Sequence, residues 1–280
     1  MVTESKLEDI KNALIKYKTN PKKYSLTCLS KEFGVKRQTL SKYLLKEGYE
    51  IINYQNQIKI DETLFDNIDN EEKAYWLGFL FADGNISKDG YRITLALAIK
   101  DEEHLKKFKD FLKYKGSINY TNYNNNPGCR IFFRSKHMWE SLNTLGCVPA
   151  KSLVLNFPNL KHFKSKELIR HFLRGYCDGD GFLGFYKNHK CELSFVGTES
   201  FLKSSESFFN IKGYIRNKTS KNWENKAFDL KYAGRKARMV ARILYENSSV
   251  YLQRKYIIFQ QFCQLEEESS RIKSSKLGRS

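Results

Sequence analysis

Residues 74–84 read AYWLGFLFADG, and residues 172–181 read FLRGYCDGDG. Aligning Asp83 with Asp180 sets an offset of 97, at which Gly78 meets Gly175, Ala82 meets Gly179 and Gly84 meets Gly181. The same offset brings Leu105 onto Leu202, Phe111 onto Phe208, Gly116 onto Gly213 and Ile118 onto Ile215. One register held over so many unlike positions marks two copies of one unit, each of about 100 residues.

Within each copy the pattern runs helix, two strands, helix, two strands, helix. In the first copy, Ile86–Ser87 and Tyr91–Ile99 read as a hairpin turned at Asp89-Gly90. An amphipathic helix follows over 101–112, then a hairpin of 117–123 and 130–135, then a helix over 136–145. The second copy repeats this through 185–195, 199–209, 213–219, 228–233 and 235–244. The class is α+β with antiparallel sheets.

The two repeat-opening helices are unusual in three ways. The stretch from Ala74 to Ala82 is apolar around its whole circumference, which requires burial on several sides. Small residues recur at i, i+4 in both copies, Gly78/Ala82 and Gly175/Gly179, a spacing that lets two backbones approach closely. Each helix ends in an aspartate and a glycine. Gly84 and Gly181 suit a left-handed cap, while Asp83 and Asp180 sit at the negative end of the helix dipole, a placement that needs a compensating cation. Together these features predict two helices packed about a pseudo-twofold axis that set two carboxylates side by side. A hard divalent cation such as Mg2+ is their natural partner. On a strongly basic chain, carboxylate-held metal implies phosphodiester hydrolysis.

WLGFLFADG and LRGYCDGDG resemble the two motifs of a single-chain LAGLIDADG homing endonuclease, and the resemblance spans roughly residues 70–262. It implies two pseudo-symmetric αββαββα halves, with the motif helices at their interface and the sheets forming a saddle over DNA. It further implies cleavage of both strands of a long asymmetric site with a divalent metal, Mg2+ or Mn2+. By resemblance, Asp83 and Asp180 are the metal-binding catalytic acids, and the backbone carbonyls of Ala82 and Gly179 are supporting ligands. Two departures stand out. Phe81 replaces the earlier acid of the first motif, where the second keeps Asp178. Arg174 replaces a small apolar residue, with an outward-pointing side chain expected. The resemblance also calls for a basic residue near each acid. Lys151 and Lys255 occupy comparable places, 68 and 75 residues beyond their aspartates, where a lysine would stabilise developing phosphate charge or polarise water. In so lysine-rich a chain, chance placement is the alternative.

The DNA face is expected on the strands, at Lys88, Arg92, Arg130, Arg134, Lys187, Lys190, Arg216, Lys218 and Lys231. The segment 119–126, NYTNYNNN, adds amides and tyrosines able to bond bases or phosphates, or forms a polar hairpin tip.

Outward from the repeat, residues 1–52 read as a small all-α unit. Leu7, Ile10, Ala13, Leu14 and Tyr17 recur at helical period, and Asn20-Pro21 ends that helix. Over 25–51, Leu26, Leu29 and Phe33 face inward, Gly34 turns, and Leu40, Tyr43 and Leu44 pack a second helix. This spacing resembles a helix-turn-helix, with Lys36, Arg37, Gln38, Ser41 and Lys42 as donors to phosphates and bases; an ordinary helical hairpin is the alternative. Residues 53–72 read as an acidic linker that ends by placing Asn70, Glu71 and Glu72 at a helix start. The halves are assigned to 73–160 and 161–265, and 266–280 to a basic, disordered tail.

The 280 residues carry 49 lysines and arginines against 31 acids, a formal charge of +18. Residues 1–60 hold 12 bases and 6 acids, and residues 61–84 hold 1 base and 7 acids, so most of the excess lies beyond Gly84. Double-stranded DNA is the expected partner, against a merely solvated basic surface. The longest apolar run, Ala74–Ala82, is nine residues, far below the roughly 18 a membrane span needs. The N-terminus has no signal-peptide core, and the six cysteines form no CxxC pair. A cytoplasmic protein with reduced thiols is therefore expected, with no membrane and no protein partner, and internal pseudosymmetry predicts a monomer. A start at Met1 and an end KSSKLGRS, without a terminal His-Asn, favour a free-standing enzyme of a mobile element over an intein. Two other readings share this fold, a non-enzymatic DNA-binding regulator and an RNA-splicing maturase. Retention of both Asp83 and Asp180 weighs against the first.

Overall fold

The computed structural model describes residues 4–21, 23–49, 60–151, 154–186, 190–218 and 227–277, with side chains through residue 267. The chain divides into two compact units, Met1–Ile58 and Lys59–Ser280.

The first unit contains α1 (Glu4–Thr19), α2 (Leu26–Glu32) and α3 (Arg37–Lys46). Their apolar faces close on one core of Ile10, Ala13, Leu14, Tyr17, Leu26, Leu29, Val35, Leu40 and Leu44. Ser25 caps α2 by accepting from the Cys28 amide at 3.2 Å. Gly34 has φ +61°, the left-handed conformation that reverses the chain between α2 and α3 at low cost for glycine. Leu7, expected on the inner face, is instead exposed.

The second unit is α+β. Its first half runs α4 (Glu71–Ala82), β1 (Gly84–Ile86), β2 (Arg92–Ala98), α5 (Glu102–Phe111), β3 (Asn119–Tyr123), β4 (Asn126–Arg134) and α6 (Lys136–Leu145). The second half repeats the order as α7 (Leu168–Asp180), β5 (Phe182–Tyr186), β6 (Lys190–Gly197), α8 (Glu199–Phe209), β7 (Tyr214–Asn217), β8 (Phe228–Ala233) and α9 (Arg235–Tyr245). Each half forms a four-stranded antiparallel sheet, ordered β1-β2-β4-β3 and β5-β6-β8-β7. The tip at Asn124-Asn125 has positive φ at both residues, as a tight antiparallel hairpin turn requires.

Alternation along the strands decides which face is buried. Ile93, Leu95, Ile131 and Phe133 line the covered side of the first sheet, and Leu193, Phe195, Leu230 and Tyr232 that of the second. The helices α5 and α8 present Leu105, Phe108, Phe201, Leu202 and Phe209 as buried faces.

Two boundaries differ from the sequence expectation. From residue 60, the expected linker is part of the second unit: Phe65 and Ile68 are fully buried, and the Ile68 amide donates to His162 O at 2.8 Å. The aromatic and aliphatic residues among those acids drive the packing, and the acids stay at the edge. The helix α10 (Gln253–Leu277) continues across residue 266, where a disordered tail is expected.

Candidate active site

The two motif helices meet where the glycines allow it. A Cβ on Gly78 would stand 1.9 Å from the Phe172 carbonyl oxygen and 2.9 Å from the Tyr176 nitrogen. A Cβ on Gly175 would stand 1.9 Å from the Tyr75 carbonyl oxygen and 2.9 Å from the Phe79 nitrogen. These contacts are equivalent to one another at the offset of 97, so the crossing is pseudo-twofold at atomic detail. Only glycine permits so close an approach of backbones. Further along, a Cβ on Gly179 would lie 2.3 Å from Ala82 Cβ and 3.3 Å from Asp83 Oδ2, which sets the end of α7 against the first aspartate.

Gly84 and Gly181 are not left-handed caps. Asp83 closes α4 with φ −91°, and Gly181 has an extended backbone at φ −88°, ψ 163°. Glycine is needed for space instead. A Cβ on Gly84 would sit 2.5 Å from Leu80 O, and one on Gly181 2.5 Å from Cys177 O, because each strand starts folded back onto the last turn of its helix.

Asp83 and Asp180 therefore stand at equivalent junctions between a motif helix and the first strand of a sheet. Both side chains reach solvent, yet protein surrounds them closely enough that lost hydration dominates their titration. Burial and then the negative charge of Asp180 push Asp83 up to about 6, against the opposing pull of Lys255, Lys151 and Arg254. Asp180 is raised by burial and drawn back by Lys151 and Lys255. Two carboxylates that resist ionising together form a hard oxygen-donor pair suited to a divalent cation. The last carbonyls of each helix, including those of Ala82 and Gly179, have no partner within the helix.

Lys151 and Lys255, both nearly fully buried, lie at this site. Lys151 Nζ donates to Gly84 O, and Lys255 Nζ donates to the equivalent Gly181 O at 2.6 Å. Lys255 also donates to Cys177 O and, at 2.9 Å, to Asp178 O, so its three N–H groups are all engaged. Burial lowers the pKa of Lys255.

Arg174 does not point outward. It is fully buried, donating to the carbonyls of Val250 and Leu244 at 2.9 Å each and to Glu71 Oε1 at 2.7 Å, with His171 Nδ1 2.7 Å away. A guanidinium with this many acceptors is better satisfied inside than a single surface contact would leave it. Burial would raise the Glu71 pKa, but the Ser249 amide, Arg174 and His171 outweigh it and hold it low. Asp178 is likewise buried: it accepts from Tyr245 Oη at 2.6 Å, Tyr75 Oη at 2.7 Å and the Leu252 amide at 2.7 Å. Tyr75 Oη also lies 2.9 Å from His104 Nε2. Phe81, the equivalent of Asp178, packs edge-on against Phe172.

The nominated DNA contacts divide by sheet. Arg92, Arg130 and Arg134 are exposed on one face of the first sheet, where Arg92 lies opposite Arg134, and Lys88 is exposed in the β1–β2 turn. In the second sheet Lys190 is exposed, Arg216 pairs with Asp229, Lys231 pairs with Glu192 at 2.8 Å, and Lys218 is exposed just after β7. Lys187 lies outside the described residues. In the first unit, Lys36, Arg37, Gln38 and Lys42 are exposed and Ser41 half-buried along α3.

The pairing roles of Glu71, Tyr75, Tyr245, Asp229 and Glu192 lie outside the sequence reading, which places Glu71 only at a helix start. A signal existed for the first three: an arginine and an aspartate inside a buried helix require partners. Which residues supply them is a matter of distant chain segments.

No protein-family profile matches the chain. A replication factor C small subunit from Methanocaldococcus jannaschii is 29% identical over 170 residues, covering 59% of this chain and 9% of that protein. The chain thus spans about a tenth of the curated relative it matches. Among solved structures, the I-LtrWI LAGLIDADG homing endonuclease bound to target DNA superposes with a TM-score of 0.46 at 11% identity, over 74% of this chain and 92% of that one. I-GzeII in complex with DNA target gives 0.45 at 15% identity, over 74% and 92%. I-SmaMI bound to uncleaved DNA target with calcium ions gives 0.43 at 11% identity, over 72% and 92%. Identities and TM-scores this low leave the chemistry to be argued from the residues themselves.

Proposed function

We propose that the chain is a site-specific, divalent-metal-dependent endonuclease that hydrolyses both strands of duplex DNA. The single observation that carries this reading is the pair Asp83 and Asp180, delivered by a pseudo-twofold helix crossing whose glycines leave no room for any other side chain. A duplex presents two antiparallel backbones, and a pseudo-twofold pair of carboxylates supplies one acid to each.

Asp83 and Asp180 would hold Mg2+ or Mn2+, with the Ala82 and Gly179 carbonyls as further oxygen donors. When bound, such a cation supplies Lewis-acid polarisation of the phosphate and a water of lowered pKa. The carboxylates keep it at the helix ends, where the dipole's negative pole adds to its attraction. Lys151, whose Nζ bonds Gly84 O alone among the described residues, would bond a phosphate oxygen or orient the attacking water. Lys255 fixes the end of α7 and contributes charge near both acids. Arg92, Arg130, Arg134, Lys88, Lys190, Lys218 and Lys231, with Lys36, Arg37, Gln38, Ser41 and Lys42 of the first unit, supply phosphate and base contacts. The two carboxylate sites within one chain support a monomer that acts on homing-type targets of a mobile element.

The test incubates purified protein with a library of candidate insertion-site DNA, in magnesium or EDTA, and sequences the fragment ends. Cleavage of both strands at one site is expected, with a loss of about a hundred- to a thousandfold in Asp83→Asn or Asp180→Asn, as removal of a main source of charge stabilisation implies. Specific binding without magnesium-dependent cleavage would overturn the endonuclease in favour of a DNA-binding regulator.

A further inference from the structure

The outer faces of the two sheets occupy equivalent places in the repeat and carry different chemistry. On the first, the guanidinium carbons of Arg92 and Arg130 lie 5.4 and 5.9 Å from the centroid of the Phe132 ring. Neither they nor Arg134 forms an ion pair among the described residues. On the second, Arg216 of β7 stands directly across from Asp229 of β8. Its Nε donates to Asp229 Oδ1 at 2.8 Å and its Nη2 to Oδ2 at 3.0 Å. The aspartate side chain is 4% exposed and the arginine side chain 49% exposed, so the carboxylate is a buried anchor beneath a half-exposed guanidinium.

A guanidinium carries five N–H groups in a rigid fork. The bidentate pair with Asp229 uses the Nε side and leaves three N–H groups, two on Nη1 and one on Nη2, of which one from each nitrogen runs parallel along the end of the fork. That spacing matches O6 and N7 of guanine in the major groove. Arginines with no acid partner among the described residues, such as Arg92 over the Phe132 ring, must lose more side-chain entropy to adopt one orientation, whereas Arg216 is already oriented by Asp229. Its positive charge is offset by Asp229, so it adds little to sequence-independent attraction for phosphates. Lys231, held by Glu192, is a point charge without a fork and has no comparable geometry.

We infer that Arg216, oriented by Asp229, is a specificity-determining residue that reads a single guanine, while the unpaired arginines of the first sheet chiefly supply phosphate affinity. This rests on the proposed binding of duplex DNA. Asp229 is a positioning residue that touches no base.

The experiment selects bound duplexes from a library of random sequence, with calcium in place of magnesium, using the full chain and its D229N, R216K and R92A variants. The wild-type protein is expected to enrich a G·C pair at one position. D229N and R216K should each weaken that preference roughly tenfold, at that position alone. The double variant should be no worse than R216K. R92A should leave that position intact and reduce binding across sequences. R216K keeps Asp229 in place, so it reports on the same position even where D229N folds poorly. A D229N or R216K profile unchanged from wild type, or weakened evenly at every position, would overturn the inference and leave Arg216–Asp229 as a cross-strand pair that only supports the sheet. A wild-type protein that enriches no sequence would overturn the DNA reading itself.

Discussion

α4 and α7 are the same helix twice, built from opposite materials. At three equivalent positions α4 places Ala74, Leu77 and Phe81, and α7 places His171, Arg174 and Asp178, all six buried. Their backbones nonetheless cross identically at Gly78 and Gly175. The crossing is therefore set by the absence of Cβ atoms and is indifferent to the flanking chemistry, provided that every buried polar atom finds a partner. What the polar set adds is reach. Arg174 and Asp178 bind the carbonyl of Val250 and the amide of Leu252, and Glu71 accepts from the Ser249 amide at 2.7 Å. They thus fix the turn that carries Lys255 into its three carbonyls. At the corresponding end of α4 the described residues show only a weak bond from Cys147 Sγ to Leu80 O at 3.6 Å ahead of Lys151, and Lys151 engages one carbonyl.

The largest expected effect breaks the polar helix. Arg174→Ala strips Glu71 of its guanidinium partner and orphans two carbonyls, at a cost of about 3 kcal/mol or more. The paired change Glu71→Gln with Arg174→Met should recover much of that. Guanidinium unfolding of the singles and the double measures both, and a loss below about 1 kcal/mol for Arg174→Ala would mean the network is incidental. Next come Gly78→Ala and Gly175→Ala. Each should cost about 1–3 kcal/mol or more through overpacking against a carbonyl. Because the crossing is symmetric, the two losses should agree; a strong inequality would break the symmetry argued here. Asp178→Asn is milder, at about 1–2 kcal/mol, since an amide keeps an acceptor but meets three donors less well. It should also slow strand cleavage by displacing Lys255, whereas Phe81→Leu should cost stability with no effect on the pH profile of cleavage.

The smallest effect concerns pH. With the folded pKa of Asp83 raised from 3.8 to about 6, the native state holds more protons than the unfolded chain between those values. Stability in EDTA should therefore fall as pH rises from about 4 to about 6, with Asp180 acting in the same direction. Thermal melts should show a shallower fall in Asp83→Asn, and magnesium at pH 7 should raise the melting point of the wild-type protein more than that of the variant. Equal slopes would show that the fold does not raise the Asp83 carboxyl.

The repeat, its element order and the two aspartates were legible because each rests on a local cue: a register of 97, a period of 3.6 or 2, a glycine at i, i+4. The role of Gly84 and Gly181 was misread, since a helix-ending glycine suggests a left-handed cap and only the folded-back strand reveals a steric reason. Arg174 was misread because burial of a cation looks prohibitive until its acceptors, up to 103 residues away, are in place.

The sequence by itself determined that two like units exist, that each contributes a helix ending in an aspartate, and that the chain is basic enough to seek a polyanion. Those properties are written in periodicity and composition, which are local or additive. Tertiary structure alone decided, among the described residues, that Lys255 is saturated while Lys151 engages one carbonyl, and that Arg216 is tied to an acid while Arg92, Arg130 and Arg134 form no ion pair. It also decided that a linker of acids is anchored by Phe65 and Ile68. These are properties of pairs of atoms far apart along the chain, and a hydrogen bond or an ion pair depends on distances that only the closed fold sets.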